Sequence, residues 1–435
     1  MDTTLNRGRQ AAYIAMALAV TIPGVLVRLT GSHPPEILAA VLFGVAIVGA
    51  AFMLSWAAEI VQLDISAGLA IALLALIAVL PEYAVDFVFT WKAGVEYLDL
   101  GGVGPFEWAP LALANMTGGN QLLIGVGWPL VVLVGTWKIK QKLGVGGQAE
   151  DNSTTKGIVL ARPQSVDIAY LTLAALYGLT LPFHNTLTLI DAAVLVAIYV
   201  AYLIRLGKAP ADEPHLVGPA ALIGAMEQRP RRLINAALFV VAAGVILAAA
   251  EPFAESLVHV GQEFGISTFL LVKWVAPLAS ESPELLVAAL FAWRLSPAIG
   301  LGALVSSKVN QWTLLVGTLP LVFAISSSST HGLPLGIQQR DELLVTAAQT
   351  VFAVAIMANL SMSRGEAWVM LTLFVAQFAS SGVLPEEYAA PGRIAVGVIF
   401  MLAAAWVLRR GHLRGLRTVI TEGLTMPYDE LTAQD

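Results

Sequence analysis

Long apolar runs follow one another along almost the whole chain, and short polar segments separate them. An α-helix needs about 20 residues to cross a hydrocarbon core about 30 Å thick. Backbone groups in lipid must also find their hydrogen bonds inside the protein, which helices allow. Runs such as residues 41–58 do not show the strict alternation that is typical of a transmembrane barrel. The pattern therefore predicts an all-α, polytopic membrane protein.

The apolar runs predict about twelve transmembrane helices. Arg7 and Arg9 precede the first run as they would in a signal peptide, but no small-x-small cleavage site follows, so we expect a retained helix. The predicted spans lie at roughly residues 11–29, 36–57, 66–91, 108–136, 165–183, 187–206, 231–254, 264–294, 296–325, 341–360, 365–384 and 392–409.

The amino-acid composition agrees with a membrane protein and excludes several other classes of protein and site. Of the 435 residues, 57% are hydrophobic and only 12% are charged, whereas about a quarter of the residues in a soluble domain are charged. The net charge is −6, and no long basic stretch with interleaved aromatic residues suggests a nucleic-acid partner. Because the chain has no cysteine, disulfides, thiolate metal sites and a cysteine nucleophile are excluded.

Lysine and arginine between the spans predict the orientation, since short cytoplasmic loops carry an excess of both. With the N-terminus inside, most basic residues outside the spans fall on the cytoplasmic side. The opposite side keeps only Arg28, Lys92, Arg340 and Arg393. We therefore expect a multi-pass protein of the plasma (inner) membrane with both termini in the cytoplasm.

Two stretches of the chain repeat each other. Residues 80–87 and 282–289 both carry a Pro-Glu pair deep inside an apolar span. A second matching stretch with an Asn-Gln pair follows each, at residues 114–130 and 306–321. The Pro-Glu spans are the third and the eighth, so the odd offset makes the two copies cross the membrane in opposite directions. This is the inverted-repeat architecture of many secondary transporters.

The repeat predicts two inverted halves of five helices, with one extra helix at each end. The predicted segments are an N-terminal extra helix (1–35), a first repeat (36–206), a cytoplasmic linker (207–230), an inverted second repeat (231–384), and a C-terminal extra helix with a cytoplasmic tail (385–435). Residues 384–388 also contain a Pro-Glu pair, but they lie in a predicted loop without an apolar span or a companion stretch. They are therefore not counted as a copy of the repeated motif.

Glu82 and Glu284 are the leading candidates for chemistry, because a carboxylate near the bilayer centre costs several kcal/mol unless a partner, a cavity or a cation compensates it. Each follows a proline, which frees the carbonyl group four residues earlier in the helix. Carboxylate and carbonyl oxygens together suit a hard cation. The inverted repeat predicts that both lie near the bilayer midplane.

Further oxygens lie one helical turn away or on the companion stretches. We expect the cation ligands to include Asp86, Glu281, Ser280, Asn120, Ser307, Asn310 and Gln311, with Gln121 as an alternative to Asn120. Lys308 is expected to pair with the carboxylates, either as a coupling group or as a structural salt bridge. Lys273, near the start of its span, is expected to face water or to snorkel. Structural roles remain open for the amides, for Asp86 and for Glu281.

Other function classes fit these features less well. Motifs of zinc proteases, serine hydrolases and P-loop proteins do not occur, so we expect no enzyme and no cofactor. An intramembrane protease with Glu82 and Glu284 as an acid dyad is the enzymatic alternative. A cation channel shares the acidic lining, but inverted repeats with prolines at the site favour alternating access. The expected partners are inorganic cations and membrane lipid, and the oligomeric state is left open.

These motifs resemble those of the cation/calcium exchanger superfamily, which includes the sodium/calcium exchangers. Its two inverted halves carry a G-T-S-x-P-E run and a G-S-N run, and here Pro81–Glu82 and Pro283–Glu284 match the Pro-Glu parts. The resemblance covers roughly residues 36–384. The remaining positions depart from the family, with Ala78 and Val79, Ser280 and Glu281, Gly118–Asn120 and Ser306–Lys308 in place of the family residues.

The resemblance implies cation antiport by alternating access, with Glu82 and Glu284 as the shared ligands and Ca²⁺ exchanged against Na⁺ as the leading expectation. The departures remove hydroxyl groups and add Lys308, and both changes remove ligands that Na⁺ would use. Proton-coupled exchange, Na⁺/H⁺ or Ca²⁺/H⁺, is therefore the alternative.

Overall fold

The computed structural model describes residues 7–64, 80–144, 146–209, 216–383 and 386–432. Helices account for most of these residues. They are α1 (Arg7–Thr30), α2 (Glu36–Val61), α3 (Leu80–Asp99), α4 (Trp108–Leu122), α5 (Trp128–Leu143), α6 (Ser165–Gly178), α7 (Leu189–Leu206), α8 (Pro219–Gly224), α9 (Gln228–Phe264), α10 (Thr268–Trp293), α11 (Pro297–Asn310), α12 (Val316–Ser327), α13 (Ile337–Ile356), α14 (Arg364–Val383), α15 (Glu386–Val407), α16 (Leu413–Thr425) and α17 (Tyr428–Thr432).

Ten of the helical segments in the described part of the chain are long and apolar enough to cross a membrane. Helices α3 and α14 are each 20 residues long and are not among these ten. The prediction of an all-α, polytopic membrane protein is confirmed, whereas the number of twelve spans stays a prediction. The third predicted span, residues 66–91, begins outside the described residues. Ala78 and Val79, which were compared with the family motif, also lie outside them.

Two helices extend beyond the predicted membrane spans. Helix α9 continues past the predicted end at residue 254 and stops at Gly265, whose φ of +64° is the left-handed conformation that favours glycine. Hydropathy marks only the membrane-crossing part of such a helix, so the polar turns beyond it were missed. Helix α15 begins at Glu386, which places residues 386–388 in a helix and corrects the predicted loop.

Four short strands join loops that are distant in sequence. Strand β1 (Gly157–Val159) pairs antiparallel with β4 (Ser361–Ser363), and β2 (Thr186–Leu187) pairs antiparallel with β3 (Leu333–Pro334). Each pairing connects a loop of the first predicted repeat with a loop of the second.

The chain divides into two compact units. The first comprises Met1–Val88 and Leu206–Pro283, and the second comprises Phe89–Arg205 and Glu284–Asp435. Each unit therefore draws helices from both predicted repeats.

Helix α2 is the centre of the first unit and packs against α1 and α9. Small residues make the close approach possible. A Cβ atom added at Gly49 would lie 2.7 Å from the Ala17 carbonyl oxygen, and one at Gly44 would lie 3.0 Å from the Phe253 ring. Helices α2 and α9 are the first helices of the two predicted repeats, so equivalent elements pack together here.

The second unit includes the C-terminal segment, which was predicted as a tail. Helices α16 and α17 fold back onto the unit, and Tyr428 and Leu431 are buried. A Cβ atom at Gly423 would collide with the Ser165 carbonyl oxygen at the start of α6. The end of the described chain is thus a packed element.

Candidate ion-binding site

Helix α10 carries the Pro-Glu pair of the second repeat. Pro277 and Pro283 both lie inside the helix, and each lacks the N–H that would bind the carbonyl group four residues earlier. The Glu284 carboxylate accepts a hydrogen bond of 2.8 Å from the Ser307 hydroxyl of α11. Both residues belong to the second unit, so the structure brings together two candidates that are 23 positions apart in sequence.

Ser280 and Glu281 lie one turn earlier on α10, in the part that belongs to the first unit. Both are buried. The Ser280 hydroxyl donates to the carbonyl oxygens of Ala276 and Pro277, at 3.3 and 3.2 Å. Such back-bonding to the preceding turn is common for serine in helices and leaves the oxygen lone pairs available to a cation.

Glu82 and Asp86 occupy the first two turns of α3, in the first unit. Their spacing of four residues places them on one face of the helix. Glu82 is 3% exposed and Asp86 is fully buried. Two carboxyl groups buried one turn apart fit an element that holds a cation or protons, since charged groups in such surroundings need compensation.

The companion stretches of the two repeats share an unusual local geometry. In the first repeat α4 ends one residue after Gln121, and a π-helical turn, Leu123–Gly127, connects it to α5. In the second repeat α11 ends at Asn310, and the π-helical turn Gln311–Leu315 leads into α12. Such turns occur often at functional sites. The π-helical turn begins two residues after Gln121 in the first repeat and at Gln311 in the second, so Asn120 corresponds in position to Lys308.

Lys308 connects the two companion helices. Its ammonium group lies 3.1 Å from the carbonyl oxygen of Asn120 and also donates to the Asn120 side-chain oxygen. The ammonium lies 5.0 Å from the centre of the Trp312 ring, a distance at which the ring face attracts a cation. Sequence reasoning predicted carboxylates as its partners, and the structure adds an amide of the other repeat.

Asn310 and Gln311 are buried beside the second π-helical turn. Gln121 lies at the centre of a buried polar cluster in the second unit. Its side chain donates to Glu342 at 3.2 Å and to Thr346 at 2.8 Å, and it accepts from Gln377 at 2.6 Å. The cluster fixes the end of α4 against α13 and α14.

Sequence reasoning passed over two buried carboxyl groups, Asp167 and Glu342. Asp167 is 7% exposed and Glu342 is 2% exposed. Each lies within the first three residues of a predicted span, where an acidic residue is expected to reach water. The signal that could have found them is an acid followed at once by a long apolar run. Lys273 was misjudged in the same way, since it is fully buried.

Comparison with known proteins agrees with these features. The sequence model of the family described as sodium/calcium exchanger protein matches residues 36–207 and 234–381. Comparison with curated proteins finds no match.

Solved structures of exchangers share the fold. The crystal structure of the H⁺/Ca²⁺ exchanger CAX is 36% identical in sequence, has a TM-score of 0.84, and is matched over 96% of this chain and 99% of that one. The Ca²⁺/H⁺ antiporter protein YfkE is 14% identical with a TM-score of 0.58, over 89% and 99% of the two chains.

A structure of the sodium-calcium exchanger NCX_Mj soaked with Na⁺ and Sr²⁺ is 14% identical, with a TM-score of 0.51 over 80% of this chain and 98% of that one. At this identity the likeness concerns the fold. Together with the match of the family model, the prolines, the buried acids and the two π-helical turns place the chain among cation antiporters of the membrane. The chain belongs to the sodium/calcium exchanger family.

Proposed function

We propose that the protein exchanges Ca²⁺ for protons across the membrane by alternating access. The observation that carries the proposal is the 36% identity with the H⁺/Ca²⁺ exchanger CAX over 96% of the chain. The family supplies cation antiport, and the identity favours the proton as the coupling ion.

Glu82 and Glu284 are the proposed exchanging groups. A carboxylate oxygen that coordinates Ca²⁺ must be deprotonated, and a protonated carboxyl group is a poor cation ligand. Each group therefore holds a cation or a proton, and a ligand that binds one state shifts the population away from the other. Ser307, which donates to Glu284 at 2.8 Å, can instead present its oxygen to a cation.

Lys308 supports proton coupling over sodium coupling. Its side-chain nitrogen lies between α4 and α11, and it stands where the family motif has a neutral asparagine. A positive charge in a low-dielectric interior disfavours binding of additional Na⁺ ions nearby. Protons need only the carboxyl groups.

Exchange of Ca²⁺ against Na⁺ is the second candidate. The hydroxyl groups of Ser280 and Ser307 remain on α10 and α11, and hydroxyl oxygens are ligands that Na⁺ accepts. Because the family consists of transporters, neither a channel nor a protease is proposed. We further propose that the protein resides in the plasma (inner) membrane with both termini in the cytoplasm.

Transport in proteoliposomes tests the proposal. Vesicles are given either a proton gradient without Na⁺ or a Na⁺ gradient at equal pH, and Ca²⁺ uptake is measured together with internal pH. We expect uptake with the proton gradient, accompanied by proton release. Uptake that needs Na⁺ and leaves pH unchanged would establish the second candidate instead.

Neutral variants identify the exchanging groups. Glu82→Gln and Glu284→Gln should each abolish Ca²⁺ uptake, because an amide neither releases a proton nor neutralises a cation. Glu251→Gln is the matched control, since Glu251 is half exposed and pairs with Arg28 at 3.1 Å. Wild-type uptake in both test variants would refute the assignment.

A further inference from the structure

Asp167, Tyr202 and Ser306 form a buried chain of hydrogen bonds in the second unit. The Tyr202 hydroxyl of α7 donates to the Asp167 carboxylate of α6 at 2.5 Å. The same hydroxyl lies 2.6 Å from the Ser306 hydroxyl of α11, and either oxygen can donate. Tyr202 is 1% exposed and Asp167 is 7% exposed. Three helices thus meet at one ionisable group inside a predicted membrane span.

A single proton determines which oxygen donates in each hydrogen bond of this chain. A tyrosine hydroxyl has one hydrogen, so it donates to one neighbour and accepts from the other. When Asp167 is ionised, Tyr202 donates to it and Ser306 donates to Tyr202. When Asp167 carries a proton, it donates to Tyr202, which then donates to Ser306. Uptake of one proton reverses both bonds, and the heavy atoms keep their positions.

The chain of hydrogen bonds ends at Ser306, beside the candidate ion-binding residues. Ser306 precedes Ser307, whose hydroxyl donates to Glu284, and Lys308 follows on the same helix. Two acidic groups, Asp167 and Glu284, therefore hold two successive serines of α11. The orientation of the Ser306 hydroxyl differs between the two protonation states of Asp167, and this dipole lies next to the Ser307 peptide.

The C-terminal segment covers this end of α6. Arg162 forms an ion pair with Glu422 at 2.6 Å. Arg205 donates to the carbonyl oxygens of Gly423 and Met426, and its guanidinium lies 4.8 Å from the centre of the Tyr428 ring. These contacts hold α16 and α17 over the start of α6, where Asp167 lies.

Several charged or ionisable groups surround Asp167. They are Tyr202 and Arg205 of α7, Tyr170 of α6 and Tyr428 of α17, together with the Arg162–Glu422 pair beside them. Burial raises the pKa of Tyr428 further above its usual value. The carboxyl groups of this set are Asp167 and Glu422, and Glu422 is paired with Arg162.

Another buried aspartate, Asp191, has a different set of contacts, which includes the His184 imidazole at 3.5 Å. Asp191, in the first turn of α7, accepts from the backbone N–H and the hydroxyl of Thr188, both at 2.7 Å, and from the Tyr177 hydroxyl at 2.7 Å. Two of its three hydrogen bonds thus cap its own helix. Asp167 instead accepts from another helix, through a hydroxyl that continues to a third.

We propose that Asp167 is a proton-binding site of the transport cycle, and that Tyr202 and Ser306 transmit its protonation state to helix α11. The inference rests on the proposed proton coupling. Asp167 accepts a proton and later releases it, and no other covalent bond changes. Tyr202 is a positioning residue that acts through Ser306.

Two variants test the site. Asp167→Asn keeps the shape but cannot be protonated, and Tyr202→Phe keeps the ring but interrupts the chain. Reconstituted variants are compared for Ca²⁺ uptake driven by a proton gradient between pH 5.5 and 8.5, and for Ca²⁺–Ca²⁺ counterflow at pH 8, which requires no net proton movement.

We expect both variants to keep wild-type Ca²⁺–Ca²⁺ counterflow. Their proton-driven uptake should depend less steeply on pH, as expected when about one titrating group is lost. The double variant should show no further loss, because both changes interrupt the same chain. The matched control is Tyr177→Phe, which removes the hydroxyl that donates to Asp191 at 2.7 Å and should keep the wild-type pH profile.

Two results would overturn the inference. One is a wild-type pH profile in both Asp167→Asn and Tyr202→Phe. The other is a parallel loss of counterflow, uptake and thermal stability with an unchanged shape of the pH profile, which would make Asp167 structural. The proposed function is tested separately, with the wild-type protein. It would be refuted if Ca²⁺ uptake into wild-type vesicles needed Na⁺ and no proton movement accompanied the uptake.

Discussion

Lys308 has the environment that a buried ammonium group requires. The group has three N–H donors and no acceptor, and the two oxygen atoms of Asn120 and the face of Trp312 surround it. The contact joins α4 to α11 close to both π-helical turns. A fixed charge at this place contributes to the electrostatic balance of the binding groups and to the packing of the two helices.

Replacement of Lys308 by asparagine separates these two contributions. Lys308→Asn removes one positive charge, so we expect a change in the charge moved per cycle or in the coupling ion, measured as the reversal potential and its pH dependence. Lys138→Asn is the control, because Lys138 lies at the end of α5 with its ammonium 4.0 Å from the Trp293 ring. An unchanged reversal potential would leave Lys308 with a structural role alone.

At the scale of single residues, the sequence predicts which chemical groups occur at the site better than it predicts their hydrogen-bond partners. The Pro-Glu pairs and the hydroxyl and amide positions follow from the repeat, and Ser307 does contact Glu284. The partners of Lys308 and Asp167 lie on helices 188 and 35 positions away. Such contacts depend on helix rotation and on side-chain direction, and neither is encoded in a hydropathy pattern.

Among the structural elements, helices α2 and α9 show how charges stabilise helix ends. Asp64 follows the end of α2, and Arg231 and Arg232 lie in the first turn of α9. Each charge is unfavourable at the end of its own helix. The Asp64 carboxylate accepts from Arg231 at 2.8 and 3.0 Å and from Arg232 at 3.0 Å. The pairing therefore brings opposite charges together where two helix ends would each be unfavourable alone.

The junction should lose its stabilising effect in acid. Hydrogen bonds from Arg231 lower the pKa of Asp64 to about 2, from an ordinary value of 3.8. Its contribution is therefore complete above about pH 4 and declines as the pH falls towards 2. We expect Asp64→Asn to lower the unfolding temperature in detergent at pH 6, and the difference from wild type to vanish towards pH 2.

The half-exposed pair Arg28–Glu251 offers the comparison for this experiment. Its side chains are 47% and 45% exposed, and exposed ion pairs contribute about 0–1 kcal/mol. Glu251→Gln should leave the unfolding temperature unchanged at both pH values. An equal shift for both variants would show that Asp64 acts through net charge rather than through the junction.

Most helices could be predicted from the sequence because lipid requires a long apolar run for each span. The extensions of α9 and α15 could not, since their outer turns contain charged and polar residues that a hydropathy pattern does not assign to a span. The π-helical turns are a third case. Both lie in the companion stretches of the repeat, so the repeat predicts that they share a structure, but no propensity rule predicts an extra residue in the turn.

At the scale of the whole molecule, the absence of cysteine makes the proposed orientation directly testable. Val103 lies between α3 and α4 and is 81% exposed, and Lys142 is exposed at the end of α5. With the N-terminus inside, the first is extracellular and the second is cytoplasmic. Neither position is close to a candidate ion ligand.

We expect Val103→Cys to react with a membrane-impermeant maleimide in intact cells, and Lys142→Cys to react only after permeabilisation. The cysteine-free parent is the blank for both. The reverse pattern would invert the orientation, and labelling of both in intact cells would exclude an odd number of crossings between them.

The predicted repeats and the compact units divide the chain differently. A repeat is continuous in sequence, whereas each unit takes helices from both halves. Sequence comparison can find the repeats because they share motifs. It cannot find the units, since these depend on which helices pack together, as α2 packs with α9.

The pairing of β1 with β4 also sets a time order for folding. Gly157–Val159 is synthesised about 200 residues before its partner strand, Ser361–Ser363. At roughly 5–20 residues per second, a ribosome needs about 10–40 s to produce the intervening chain. During that interval the loop after α5 has no strand partner, so the first half of the molecule acquires its final form only when the second half emerges.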